Sequence, residues 1–279
     1  MNGSTEELVW IESEDDLRLD GVVVRPNGGQ TKPIALVHVH GFTSRFSHPA
    51  HIHPARELAK RGYTCISGNN RGWAFGETTS RLHTGEQVVI GTGWERFAEV
   101  AYDIGPWISF AMSLGFEAVA LFGHSYGGCK VVQYLAERED PRVRALILAS
   151  PGWIHPPVIA PNAIEQATSM VAAGKGAELL PWGSFYEITL SAQTMLELTR
   201  FDVFGVRTTD APISKVRVPT LAFYGTNEDE GRAELDLMRS KATAVPRFDT
   251  LVIEGANHSY IGRAPQVGAA VADWLDGLS

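Results

Sequence analysis

Gly123-His124-Ser125-Tyr126-Gly127 is the stretch of this chain best equipped for chemistry, a G-x-S-x-G in which one serine stands between two glycines. It closes an apolar run, Ala118 to Phe122, and opens a helix-forming one, Gly127 to Arg138. A turn that tight lifts the Ser125 hydroxyl above the edge of a sheet, and glycine at 123 and 127 tolerates close neighbouring backbone. A serine hydroxyl is a poor nucleophile until a base takes its proton. His258, in the loop Glu254-Gly255-Ala256-Asn257-His258-Ser259 after the last apolar run, is the candidate base. The acid that orients the imidazole belongs after Thr220 to Tyr224, where Asn227, Glu228, Asp229 and Glu230 stand in a row. Spacing from Gly225 selects Glu228, with Asp229 left open as the alternative acid. Attack on an acyl carbon also needs donors for the developing oxyanion, and the backbone N–H groups of Phe42 and Tyr126 are the candidates. Each residue has a blander reading as part of a strand-to-helix turn, a solvated loop or an acidic turn, and the last describes at least two of the four loop residues.

Elements must hold these groups together. Leu8 to Ile11 and Leu17 to Arg25 read as an antiparallel hairpin turned at Glu14-Asp15-Asp16. Ile34 to His40 is a β-branched apolar strand, followed by a helix around Pro49 to Arg61 and a strand from Tyr63 to Ser67, which makes one βαβ unit. Trp94 to Leu114 has helical spacing, with Gly105-Pro106 expected to kink or shorten it. Ala118 to Phe122 and Val143 to Ala149 are apolar throughout, as strands covered on both faces are. Alternation stops after Ser150 and resumes at Thr220 to Tyr224, with a helix near Ala233 to Ala242, a strand Thr250 to Glu254 and a helix Pro265 to Leu278. We therefore expect a core of residues 1–150 and 211–279 and a cap inserted at 151–210. Sheets of this kind take ligands beyond the carboxyl ends of their strands.

Composition bounds the partners. The chain has 279 residues, 24 Lys+Arg against 32 Asp+Glu and a net charge of −8, with 44% hydrophobic residues. That is the balance of an ordinary globular protein, and the absence of a basic block argues against nucleic acid or an anionic membrane as partner. Met1 to Trp10 lacks the anatomy of a secretory signal, and Ala145 to Ile164 is too broken by prolines to span a membrane, so a cytoplasmic location is expected. The two cysteines, Cys65 and Cys129, read as reduced core residues.

His40-Gly41 ahead of Phe42, Gly123-His124-Ser125-Tyr126-Gly127 and Gly255-Ala256-Asn257-His258 together resemble the α/β-hydrolase superfamily, over almost the whole chain. The resemblance implies the α/β-hydrolase fold: a mostly parallel eight-stranded sheet flanked by helices, with a helical cap after the sixth strand. It also implies a Ser-acid-His triad in that chain order and no cofactor. Asn69-Asn70-Arg71-Gly72-Trp73 is similar to the family's Asp-x-Arg-Gly loop but lacks the aspartate, so the loop is read as structural. A serine at 125 sets the chain apart from relatives that use aspartate there.

Five of the nine histidines fall between His38 and His53, yet no nearby acid completes a zinc set, and no metal is expected. Arg45 and His48 read as a solvated loop, with contact to a polar substrate group at the pocket mouth as the alternative. Trp73, Trp153, Trp182, Phe185 and Tyr186, with Phe42, are the candidate walls of a substrate chamber, although packing of the cap explains most of them. The expected activity is hydrolysis of a carboxylic ester, lactone, thioester or amide of a small molecule through an acyl-serine. A carbon–carbon hydrolase or acyltransferase would use the same groups, and a catalytically silent ligand-binding protein is the rival from another class. The sequence leaves the oligomeric state open, a homodimer included.

Overall fold

Apolar residues at every position of a short run ask for cover on both faces, and the fold supplies it. The computed structural model describes residues 3–28, 31–181, 183, 185, 188–229 and 231–278. Strands β1 (Ser4–Glu12) and β2 (Arg18–Pro26) form the expected hairpin. They lead into β3 (Ile34–Val39), α1 (Pro49–Lys60) and β4 (Cys65–Gly68). A small antiparallel ribbon, β5 (Glu77–Ser80) and β6 (Gln87–Ile90), precedes α2 (Ala101–Ser113). Then come β7 (Ala118–His124), α3 (Tyr126–Arg138) and β8 (Val143–Ala149). Two helices, α4 (Pro161–Ala172) and α5 (Ala192–Thr199), lie in the segment before β9 (Thr220–Gly225). The chain closes with α6 (Arg232–Lys241), β10 (Phe248–Ile253) and α7 (Ala264–Asp276).

The main sheet has eight strands in the order β1-β2-β4-β3-β7-β8-β9-β10. Only the β1–β2 and β2–β4 pairs are antiparallel. Alternate residues of each central strand enter opposite layers, as the two-residue period of a strand requires. Val119, Leu121, Leu146 and Leu148 pack with Ile104, Trp107, Val131 and Val132 of α2 and α3. Ala120, Phe122, Ile147 and Phe223 pack with Ala55, Leu58, Val267 and Val271 of α1 and α7. Each large side chain sealed in this way contributes roughly 1.5–3 kcal/mol. Buried residues of α5 and the stretch after it, Met195, Leu198, Phe201 and Phe204, extend the first layer.

Two expectations are corrected. The helix expected from Trp94 begins only at Ala101, after a 3-10 turn at Phe97–Glu99, and it runs through Gly105-Pro106. Pro106 has no N–H to give to the Tyr102 carbonyl four residues back, and that carbonyl accepts from the Glu14 N–H of the β1–β2 turn at 2.9 Å. The β5–β6 ribbon has no counterpart in the sequence reading.

Candidate active site

The turn at Ser125 is as sharp as the glycines imply. Ser125 has φ 57° and ψ −131°, a left-handed backbone unusual for a side-chain-bearing residue. A Cβ on Gly127 would sit 2.1 Å from the Val39 carbonyl oxygen, and one on Gly123 would sit 2.5 Å from the Gly127 carbonyl oxygen. Neither position accepts a side chain. The loop after β3 is equally close: a Cβ on Gly41 would lie 2.8 Å from Ser125 Cβ and 3.1 Å from its Oγ. From the other side, a Cβ on Gly152 would lie 3.4 Å from Oγ. The hydroxyl thus sits in a slot between two glycine-bearing loops at the carboxyl ends of β3 and β8.

His258 and Glu228 meet in the loops after β10 and β9. The His258 Nδ1–H donates to Glu228 Oε2 at 2.7 Å, which leaves Nε2 as the bare, proton-accepting nitrogen. The other carboxylate oxygen of Glu228 accepts from Ser150 Oγ at 2.6 Å and from the Gly225 N–H at 2.7 Å. Tyr260 in turn donates its hydroxyl to Ser150 Oγ at 2.8 Å. The Glu228 side chain is 2% exposed, whereas Asp229 is exposed and has no side-chain hydrogen bond or ion pair among the described residues. His124, next to Ser125, donates Nε2–H to the His258 carbonyl at 2.6 Å, and the two rings lie 4.9 Å apart. This bond docks the His258 loop onto the Ser125 turn; among the described residues no hydrogen bond joins Ser125 Oγ to the imidazole directly.

The backbone N–H groups of Phe42 and Tyr126 find no acceptor among the described residues, as befits a tight loop and the first turn of a helix. Their loops are braced from outside. The Asn70 N–H donates to His40 Nε2 at 3.1 Å, so the His40 proton is on Nδ1, which donates to the Gly41 carbonyl at 2.9 Å. Thr92 accepts from the Thr43 N–H at 2.9 Å and donates to the Gly72 carbonyl at 2.8 Å.

Of the candidate chamber residues, Phe42, Trp153 and Phe185 come together with the Tyr126 ring. The Phe42 ring is 5.0 Å from Trp153 and 6.1 Å from Phe185, and Trp153 is 4.6 Å from Tyr126. Phe97 and Phe201 join them. Trp73 packs on the core without a ring contact to this group among the described residues, while Trp182 and Tyr186 lie outside the described residues. A cleft of about 740 Å³ between the β5–β6 ribbon and Gly176, Ala177, Ser191 and Gln193 includes Trp94 and Glu95 but none of Ser125, Glu228 or His258.

The histidine-rich loop is less solvated than its polarity implies. His38, His40 and His51 are buried, and His51 lies within 6.5 Å, ring to ring, of His38, His40, His48 and His124. Among the described residues, both ring nitrogens of His38 and of His51 have no hydrogen-bond partner. Burial pushes His38, His40 and His124 down to about 3 and His51 well below its ordinary value. His48 caps α1, accepting from the Ala50 N–H at 3.3 Å.

Residues 34–175, just over half of the chain, match the family described as the alpha/beta hydrolase fold. The chain belongs to the α/β-hydrolase family. Solved structures agree with this. Est1E from Butyrivibrio proteoclasticus, solved with ferulic acid bound, is 18% identical with a TM-score of 0.67, covering 96% of this chain and 97% of that one. The α/β-hydrolase GrgF from Penicillium sp. sh18 is 14% identical with a TM-score of 0.71, covering 98% and 97%. The esterase domain of a Rhodothermus marinus protein is 18% identical with a TM-score of 0.61, covering 97% of each chain. At these identities the likeness is one of fold. No curated protein matches the sequence.

In this α/β-hydrolase the sequence reading missed Ser150, Tyr260 and His124 as partners of the site. Ser150 directly follows an apolar strand, and that position was the only signal available for it. Among the described residues no helix is long and apolar enough to cross a membrane.

Proposed function

We propose that this α/β-hydrolase cleaves a carboxylic ester, or the kindred acyl bond of a lactone, thioester or amide, through an acyl-Ser125 intermediate. The observation that carries the reading is the Glu228–His258 pair, 2.7 Å long and docked through His124 onto the strained turn that bears Ser125. Ser125 Oγ attacks the carbonyl carbon while His258 Nε2 takes its proton. The Phe42 and Tyr126 N–H groups bind the oxyanion, and His258 returns the proton to the leaving group as the acyl–oxygen or acyl–nitrogen bond breaks. Water, deprotonated by His258, then releases the acid and restores the serine. Glu228 keeps the proton of His258 on Nδ1 and stabilises the imidazolium.

In this reading residues 151–210 form the cap over the site, and Phe42, Trp153 and Phe185 wall an apolar chamber for the acyl group of a small molecule. The rings they present support an aromatic or short aliphatic acyl group. A fluorophosphonate probe tests the proposal. Labelling of the parent protein and its loss in Ser125→Ala are expected, and an unlabelled parent would overturn the acyl-serine.

A further inference from the structure

Lys130 is fully buried on α3, one turn beyond Tyr126, with its ammonium 4.9 Å from the Tyr126 ring centre. Its Nζ lies 2.5 Å from Glu95 Oε1 and donates to Asn70 Oδ1 at 2.9 Å. Asn70 carries the link onward. Its Nδ2 donates to the His40 carbonyl at 3.2 Å and its N–H to His40 Nε2 at 3.1 Å, while its Oδ1 also accepts from the Gly72 N–H at 3.1 Å. A single ammonium therefore ties the helix that begins at Tyr126 to the loop that holds Phe42. These are the two backbone segments whose N–H groups must converge on one oxygen.

We infer that Lys130 is a positioning residue for the oxyanion site, acting through Asn70 on the His40-Gly41-Phe42 loop. The inference rests on the acyl-serine reading. A buried ion pair is a poor way to stabilise a core, since apolar side chains of similar volume often serve equally well or better. Packing alone therefore does not account for Lys130 and Glu95. The hydrogen bond to Asn70 does, because a misplacement of about 1 Å at a reacting centre lowers rate by up to about 10²-fold. The substrate's own contacts are untouched by it, so turnover should respond and affinity should not.

The test replaces the pair by an apolar one, Glu95→Leu with Lys130→Met, and reads kcat and KM for p-nitrophenyl acetate beside thermal midpoint. The expected result is a fall in kcat of about 10- to 100-fold, with KM and the midpoint close to the parent's. Adding Asn70→Ala should lower kcat no further than Asn70→Ala alone, because both act along one link. A parent-like kcat in the folded apolar variant would overturn the inference, as would losses that multiply when the changes are combined. Should that variant fail to fold, Asn70→Ala, which leaves the ion pair in place, reads the same link, and a parent-like kcat there overturns it. A parent unlabelled by fluorophosphonate would instead sink the acyl-serine reading, and this one with it.

Discussion

Glu228 and Asp229 are chain neighbours with opposite surroundings. Glu228 gives both carboxylate oxygens to partners, His258 on one and Ser150 with Gly225 on the other, whereas Asp229 faces solvent. Glu228→Gln presents an amide where one oxygen must accept from His258 and the other from two donors, so the imidazole loses its orientation. We expect kcat on p-nitrophenyl acetate to fall on the order of 10²–10⁴-fold in Glu228→Gln and to stay within about twofold in Asp229→Asn. A collapse in the second variant alone would make Asp229 the acid. Ser125 and His258 could be picked out as candidates because each stands in a loop that follows an apolar strand. Ser150, Tyr260 and His124 were not, because they reach partners 78, 110 and 134 residues away and nothing local announces such a bond.

Arg71 shows how one loop is fastened to three elements. Its guanidinium, 5% exposed, meets Asp103 of α2 at 2.8 Å, Asp15 of the β1–β2 turn at 2.7 Å and Glu99 at 2.7 Å. Arg71→Met would strand the Asp103 carboxylate, which is 1% exposed, without its cation. We expect a loss of about 3–5 kcal/mol in stability by urea unfolding. A loss under about 1 kcal/mol would overturn the view that Arg71 is the cation that keeps the buried Asp103 carboxylate satisfied. The main strands and helices were readable from apolar period and punctuation. The β5–β6 ribbon was not, because its strands are four residues each, too short for a period to declare itself, and only Ile90 of the eight residues is buried. The continuity of α2 across Pro106 was hidden for another reason: the Glu14 N–H that occupies the freed carbonyl comes from a turn some 90 residues earlier, about the span from 14 to 102.

The buried histidines give the whole molecule an acid limit. His38, His40 and His124 stay neutral in the fold down to about 3, while in the unfolded chain they protonate near 6.5. Their contribution is fully present above pH 6.5 and is lost as pH falls toward 3, because only the unfolded chain takes up the protons. At pH 5.5 the three together cost about 4 kcal/mol, a large share of an ordinary domain's stability. Urea midpoints should therefore drop steeply between pH 7 and 5.5. His38→Leu should lose about 1 kcal/mol less over that interval, and an identical slope would refute the assignment to His38. A separate consequence follows from Ser125, Ser150 and Tyr260, whose φ angles are 57°, 42° and 56°. Such backbones store about 1–3 kcal/mol each in residues other than glycine. At Tyr260, fully buried in the core, and at Ser150, bonded to both Glu228 and Tyr260, truncation costs more than that strain returns. A laboratory selection for heat resistance alone would therefore drift toward glycine at Ser125 and, on the acyl-serine reading, return hardier, inert proteins, so survivors need to be sorted by turnover.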